Sequence, residues 1–159
     1  MDIFAIAIKI EKEGAAFYHE LAAKATTEGF KSIFTMLAED EEKHQQAFVT
    51  LEQNSVPVMV SSTVVDNASQ IFKDFKKEDF KKETPQIKLY EQALAVEKKS
   101  IEFYTSQLDN LESEKTQEVV GKILAEEKHH YLMLEEIIKM LNRPYSWVEN
   151  AEFGVREEY

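Results

Sequence analysis

Two short stretches of this sequence hold residue types that could do chemistry. The first is Leu37-Ala38-Glu39-Asp40-Glu41-Glu42-Lys43-His44, and the second is Leu124-Ala125-Glu126-Glu127-Lys128-His129-His130. Each places a Glu three residues before a His. On an α-helix those positions share a face, so a carboxylate and an imidazole converge on one point. Oxygen and nitrogen donors aimed together in this way suit a transition metal such as iron, manganese or zinc. Two further carboxylates, Glu11 and Glu97, interrupt helical lines that are otherwise apolar. A carboxylate facing a core is costly unless it meets a cation or takes a proton. No Lys or Arg shares either line within a turn, which makes burial against a basic side chain the lesser alternative to a metal or a proton.

These residues need long helices to carry them, and the apolar period supplies four. Phe4, Ile8, Glu11, Ala15, Tyr18 and Ala22 predict a helix over about 2–26, with Asp2 as its N-cap. Phe34, Leu37, Glu41, His44, Phe48 and Leu51 predict a second over about 30–53. The turn at Thr26, Thr27 and Gly29 is short, so the two should be antiparallel neighbours. Thr84-Pro85 marks the start of a third, over about 85–110, along Tyr90, Leu94, Glu97, Ile101, Tyr104 and Leu108. Ser113 caps a fourth, over about 114–142, whose inner line is read as Val119, Ile123, Glu126, His129, Met133 and Ile137. In that register Glu127 and His130 fall outside the site, as does His19, while Met36, Met133 and Met140 fill the core.

The connection over 54–84 is the least regular part. Val56–Val65 is β-branched and apolar, fitting an extended crossover or an exposed strand for a second subunit. Phe72, Phe75 and Phe80 among lysines suggest one short amphipathic helix. In the C-terminal extension, 143–159, Ser146-Trp147-Val148-Glu149 resembles a capping box for a short helix that would pack Trp147 and Phe153. The expected architecture is all-α: a single domain over 1–159, made of two helical hairpins joined by one long crossover.

The hairpins are internal copies. Ile10-Glu11-Lys12-Glu13-Gly14-Ala15-Ala16-Phe17-Tyr18 aligns with Val96-Glu97-Lys98-Lys99-Ser100-Ile101-Glu102-Phe103-Tyr104, and the Glu-Glu-Lys-His at 41–44 with that at 126–129. Glu11 and Glu97 are 86 positions apart, and Glu41 and Glu126 are 85 apart. The six candidate ligands are therefore Glu11, Glu41, His44, Glu97, Glu126 and His129. One Glu from each of two helices and Glu-x-x-His from each of the others is the pattern that builds a dinuclear carboxylate site in a bundle.

Composition excludes several alternatives. A net charge of −11 argues against nucleic-acid binding, which needs a basic footprint. No apolar run approaches a membrane span, and no signal peptide is visible, so the cytoplasm is the expected location. With no Cys there is no disulfide framework, zinc finger or iron–sulfur cluster. Four Gly and three Pro in 159 residues favour long helices over a turn-rich β fold.

On these motifs, which span both hairpins, the chain resembles the rubrerythrin branch of the ferritin-like superfamily. The resemblance implies a ferritin-like four-helix bundle and two iron ions, with manganese fitting the same ligands. It implies that Glu41 and Glu126 bridge the metals, with Glu11 and His44 completing one ion's shell and Glu97 and His129 the other's. It also implies that Tyr18 and Tyr104 hydrogen-bond the ligand carboxylates. The activity implied is that of a non-haem di-iron oxidoreductase reducing hydrogen peroxide or oxygen. Rubrerythrins proper carry a rubredoxin domain with four cysteines, which this chain does not contain. Electrons are therefore expected from an external, rubredoxin-like donor. Rubrerythrins proper also carry a further Glu at the position of Ser100, so the resemblance extends further to the metal site than to fast peroxidase turnover. A homodimer is the expected assembly. The other readings are an iron-binding or ferroxidase protein for iron handling or storage, and an interaction protein with a relict metal site.

Overall fold

The structure, a computed structural model, describes residues 2–142. Its elements are α1 (Ile3–Lys24), α2 (Glu28–Glu52), α3 (Val64–Lys73), α4 (Lys77–Glu83), a 3₁₀ turn (Thr84–Gln86), α5 (Ile87–Leu108) and α6 (Glu114–Asn142). No strand occurs among the described residues. No helix among them is long and apolar enough to cross a membrane. Helices α1 and α2 pack as one hairpin and α5 and α6 as the other. The hairpins meet through α1 on α5 and α2 on α6. This is an all-α four-helix bundle, with α3 and α4 inside its single long crossover.

Local chemistry sets the helix ends. Asp2 accepts the Phe4 N–H at 3.0 Å and Thr27 accepts that of Phe30 at 3.2 Å, each satisfying a donor with no intrahelical partner. Thr27 thus begins α2. Helix α2 ends where Asn54 adopts φ 61°, the left-handed region that Asn tolerates. There the Ser55 N–H reaches the Thr50 carbonyl at 3.1 Å and the Asn54 N–H that of Leu51 at 3.0 Å, a Schellman closure.

The crossover differs from its sequence reading. Val56–Ser62 has no regular structure, and the helix begins at Val64, inside the stretch expected to be extended. Val64, Ala68 and Phe72 lie one helical turn apart and all are buried. Burial of that face outweighs the β-preference of Val64 and Val65. In place of one short amphipathic helix there are two, and Phe72 and Phe80 are core residues, with ring centroids 5.5 Å apart. Phe75 approaches Gly29 so closely that a Cβ there would stand 2.4 Å from its ring. Thr84-Pro85 forms the 3₁₀ turn instead of opening α5, and the Thr84 hydroxyl donates back to the Phe80 carbonyl at 3.1 Å. The helix expected around Trp147 and Phe153 lies outside the described residues.

The core comes in two apolar clusters. One gathers Phe30, Phe34, Phe72, Phe80 and Tyr90 with Met133, Leu134 and Ile137. The other gathers Ala7, Phe48, Leu51, Tyr104, Val119, Val120 and Ile123. Along each long helix, the buried charged residues fall between these clusters. The bundle is a polar layer closed between two apolar ones.

Candidate metal centre

The polar layer holds Glu11 from α1, Glu41 and His44 from α2, Glu97 from α5, and Glu127 and His130 from α6. None is more than 2% exposed. Four of these were expected from the sequence; the two from α6 are each shifted by one residue. Glu126 and His129, read as inward ligands, lie off the layer. Glu126 retains 15% side-chain exposure, and His129 is exposed.

Helix geometry explains the correction. At about 3.6 residues per turn, residues seven apart lie nearly in line. His130 is in line with Ile123 and Ile137, both fully buried, whereas His129 is in line with Lys122 and Glu136. Likewise Glu127 lies between Val120 and Leu134. The repeat carried the same signal. With Glu127 and His130 paired to Glu41 and His44, the spacing becomes 86 positions, equal to that of Glu11 and Glu97. Matching the identical Glu-Glu-Lys-His strings obscured that common offset.

The donors form two overlapping sets. Glu11, Glu41, His44 and Glu127 each offer an atom within 4.8 Å of the others, and so do Glu41, Glu97, Glu127 and His130. Glu41 and Glu127 belong to both. His44 presents Nδ1 at 3.0 Å from Glu11, 3.6 Å from Glu41 and 3.1 Å from Glu127. His130 presents Nδ1 at 3.4 Å from Glu97 and 3.6 Å from both Glu41 and Glu127. The imidazole rings lie 6.2 Å apart and nearly parallel.

The outer contacts repeat the same symmetry, and each joins one hairpin to the other. The Tyr18 hydroxyl donates to Glu97 at 2.5 Å, and that of Tyr104 donates to Glu11. Nε2 of His130 meets Asp40 at 2.8 Å, and Nε2 of His44 meets Glu126 at 2.7 Å. Asp40 and Glu126 each precede one of the shared glutamates. Sequence reasoning gave Asp40 no role, although at the common offset it is the partner of Glu126. A carboxylate on Nε2–H fixes the ring and turns Nδ1 toward the cluster, as metal-binding histidines require.

Electrostatics in this layer are dominated by burial and crowding. Burial pushes the Glu41 carboxyl well above the ordinary range, and Glu11, Glu127 and Glu97 add to the effect. Burial with Glu11 and Glu97 likewise raises Glu127, against the opposing pull of His44. Burial disfavours a charged His44, yet Glu11, Glu126 and Glu127 together raise its basicity. Burial opposes charge on His130 too, but Glu97, Asp40 and Glu41 outweigh it. Burial would also raise Glu97, but His130 holds it low. Burial, then Glu97 for Tyr18 and Glu11 for Tyr104, keep both phenols protonated as hydrogen-bond donors.

These residues fit a metal. Glu97 Oε2, both Glu127 carboxylate oxygens and His130 Nδ1 are buried without a hydrogen-bond partner among the described residues. Such atoms are rare in a native interior because each forfeits its solvation for nothing in return. Here all three residues belong to one donor set whose atoms lie within 4.8 Å of one another, and carboxylate oxygen with imidazole nitrogen is a donor set for iron or manganese.

Comparison with known proteins agrees with the geometry. The family model for rubrerythrin matches residues 2–138, which takes in both hairpins and every residue of the cluster. No curated protein and no solved structure matches the chain.

Proposed function

This chain belongs to the rubrerythrin family, and from that premise we propose that it is a non-haem di-iron oxidoreductase reducing hydrogen peroxide or oxygen. The observation that carries the reading is the pair of donor sets sharing Glu41 and Glu127. Four buried carboxylates, Glu11, Glu41, Glu97 and Glu127, match the charge of two divalent cations. Two ferrous ions, when bound, would supply the two electrons that, with two protons, convert one peroxide to two waters.

The chain's own residues do the remaining work. Glu41 and Glu127 would be shared between the ions, with Glu11 and His44 on one side and Glu97 and His130 on the other. Tyr104 and Tyr18 hold the outer carboxylates by their hydroxyls. The apolar clusters exclude water from both ends of the layer. A surface cavity of about 470 Å³, lined by Lys43, Met59 and Val60 among others, reaches His44 and Glu126 and gives a small oxidant a way in. Electrons would come from a separate, rubredoxin-like donor, and the assembly we expect is a homodimer.

Metal analysis, then anaerobic reduction and peroxide titration, tests this reading. Two equivalents of iron or manganese per chain and repeated consumption of peroxide are expected. Aerobically purified protein without either metal, together with reconstituted protein that leaves peroxide intact, would overturn it.

One observation favours a second reading, iron capture and oxidation without sustained turnover. Ser100, one turn beyond Glu97, turns its hydroxyl to the Val96 carbonyl at 3.2 Å and offers no additional carboxylate to the centre. A single stoichiometric oxidation on titration supports that reading. Sedimentation as a large shell would extend it to storage, whereas a dimer would not.

A further inference from the structure

The irregular segment between α2 and α3 has no counterpart in the internal repeat, yet it touches both halves of the centre at one residue. The Ser62 hydroxyl donates to Asp40 Oδ2, the same oxygen that meets His130 Nε2 at 2.8 Å. The Ser62 backbone N–H donates to Glu126 Oε2 at 2.9 Å, while Glu126 Oε1 meets His44 Nε2 at 2.7 Å. The same hydroxyl oxygen accepts the Val64 N–H at 3.2 Å, which ties the residue to the start of α3. One serine therefore contacts both carboxylates that hold the cluster histidines.

A carboxylate orients an imidazole only if it is itself held. Glu126 needs this most, because it borders two surface cavities, one beside Lys43 and Met59 and the other beside Lys122 and His129. Without its bond to the Ser62 N–H, Oε2 would be free to turn to water and the carboxylate would be held by His44 alone. Asp40 is shorter and more buried, and its second donor after His130 is the Ser62 hydroxyl.

The geometry points to Ser62 as a positioning residue that sets the orientation of both cluster imidazoles, acting through Asp40 on His130 and through Glu126 on His44. The inference rests on the dinuclear reading given above. It deepens that reading by assigning to the crossover a part in holding the site. The two arms use different atoms, so a side-chain substitution separates them. Loss of the hydroxyl releases Asp40 and leaves the N–H on Glu126.

The test compares Ser62→Val with Ser62→Thr, two side chains of one shape of which only threonine keeps the hydroxyl. Metal-free protein is titrated with Co(II), followed by its visible absorption. In Ser62→Val one of the two bound ions should weaken about tenfold or more, the usual effect of removing support from a ligand, with an altered spectrum for that ion alone. Ser62→Thr should match the wild type, and metal-free Ser62→Val should stay folded while melting below it, because Asp40 and the Val64 N–H lose the hydroxyl. Should Ser62→Val fail to fold, Ser62→Ala takes its place against the same threonine control. Unchanged binding of both ions without the hydroxyl, equal weakening of both, or failure of threonine to restore the wild-type spectrum would overturn the assignment. Wild-type protein binding fewer than two Co(II) ions would instead defeat the dinuclear reading on which it rests.

Discussion

Glu126 and Glu127 are chain neighbours of one chemical type, and the bundle gives them different duties. Glu127 belongs to both donor sets, and its oxygens are buried with no hydrogen-bond partner among the described residues. Glu126 stands outside the cluster and holds His44. Glu127→Gln is therefore expected to lower metal stoichiometry and to abolish metal-linked stabilisation, about 2.7 kcal/mol at a hundredfold excess over Kd. Glu126→Gln should keep two ions and bind the one on the His44 side about 10–100-fold more weakly. Metal titration with calorimetry separates the outcomes, and a reversed pattern would restore the register read from the sequence. The metal-free protein should also show a particular pH dependence. Glu41, Glu127, His44 and His130 all have raised pKa values in the fold. They keep protons at pH values where an unfolded chain has lost them, so their stabilisation is complete below the unfolded values and lost as pH rises through the folded ones. Asp40, Glu97 and Glu126 have lowered values, chiefly through the histidines against the opposing effect of burial. Their contribution is present above the ordinary carboxylate range and lost in acid. Thermal melts in chelator should accordingly give a lower Tm at about pH 9 than at about pH 6; equal values would contradict the protonated cluster. Glu11, Glu41, His44 and Glu97 were legible in the sequence because each breaks an apolar line. The α6 members of the cluster were not, because two Glu-x-x-His registers overlap there and only the two-turn alignment of His130 with Ile123 and Ile137 separates them.

Among the elements, α4 is short, but it fixes the crossover to the first hairpin. Its last residue, Glu83, is buried and accepts the Thr26 N–H at 2.9 Å, the Thr26 hydroxyl, and the Tyr90 hydroxyl at 2.6 Å. One carboxylate thus joins the α1–α2 turn, α4 and α5. Glu83→Ala is expected to cost roughly 2–4 kcal/mol, because it leaves the buried Tyr90 hydroxyl and the turn donors unmatched. Chemical denaturation measures that loss, and metal stoichiometry should be unchanged, since Glu83 belongs to neither donor set. The long helices were readable from their period, and Asp2 and Ser113 from cap chemistry. The crossover was harder. Val64, Ala68 and Phe72 have helical spacing, but the β-branched pair Val64-Val65 argued locally for extension. What decides the matter is a tertiary surface, the aromatic group around Phe30 and Phe80, which no local pattern reveals.

In the whole molecule, the contacts that position the cluster residues run between the hairpins. Tyr18 on α1 reaches Glu97 on α5 and Tyr104 on α5 reaches Glu11 on α1, while Asp40 and Glu126 reach across between α2 and α6. Protease cleavage in the irregular segment, where Val58 is 92% exposed, should therefore yield two hairpins that remain associated. Bound metal should hold them together under mild denaturant until chelator is added, which size-exclusion chromatography would show. The ligand symmetry was legible as an internal repeat, whereas the departures around it needed the fold. Those departures make the surroundings of the two donor sets chemically unequal. Asp40 behind one histidine is nearly closed off, and Glu126 behind the other borders open cavities. Gly14, facing Glu41, has Ser100 as its counterpart in the second copy. One donor set is sheltered and the other lies near open cavities, so two ions bound there as proposed should differ in exchange rate and in reduction potential.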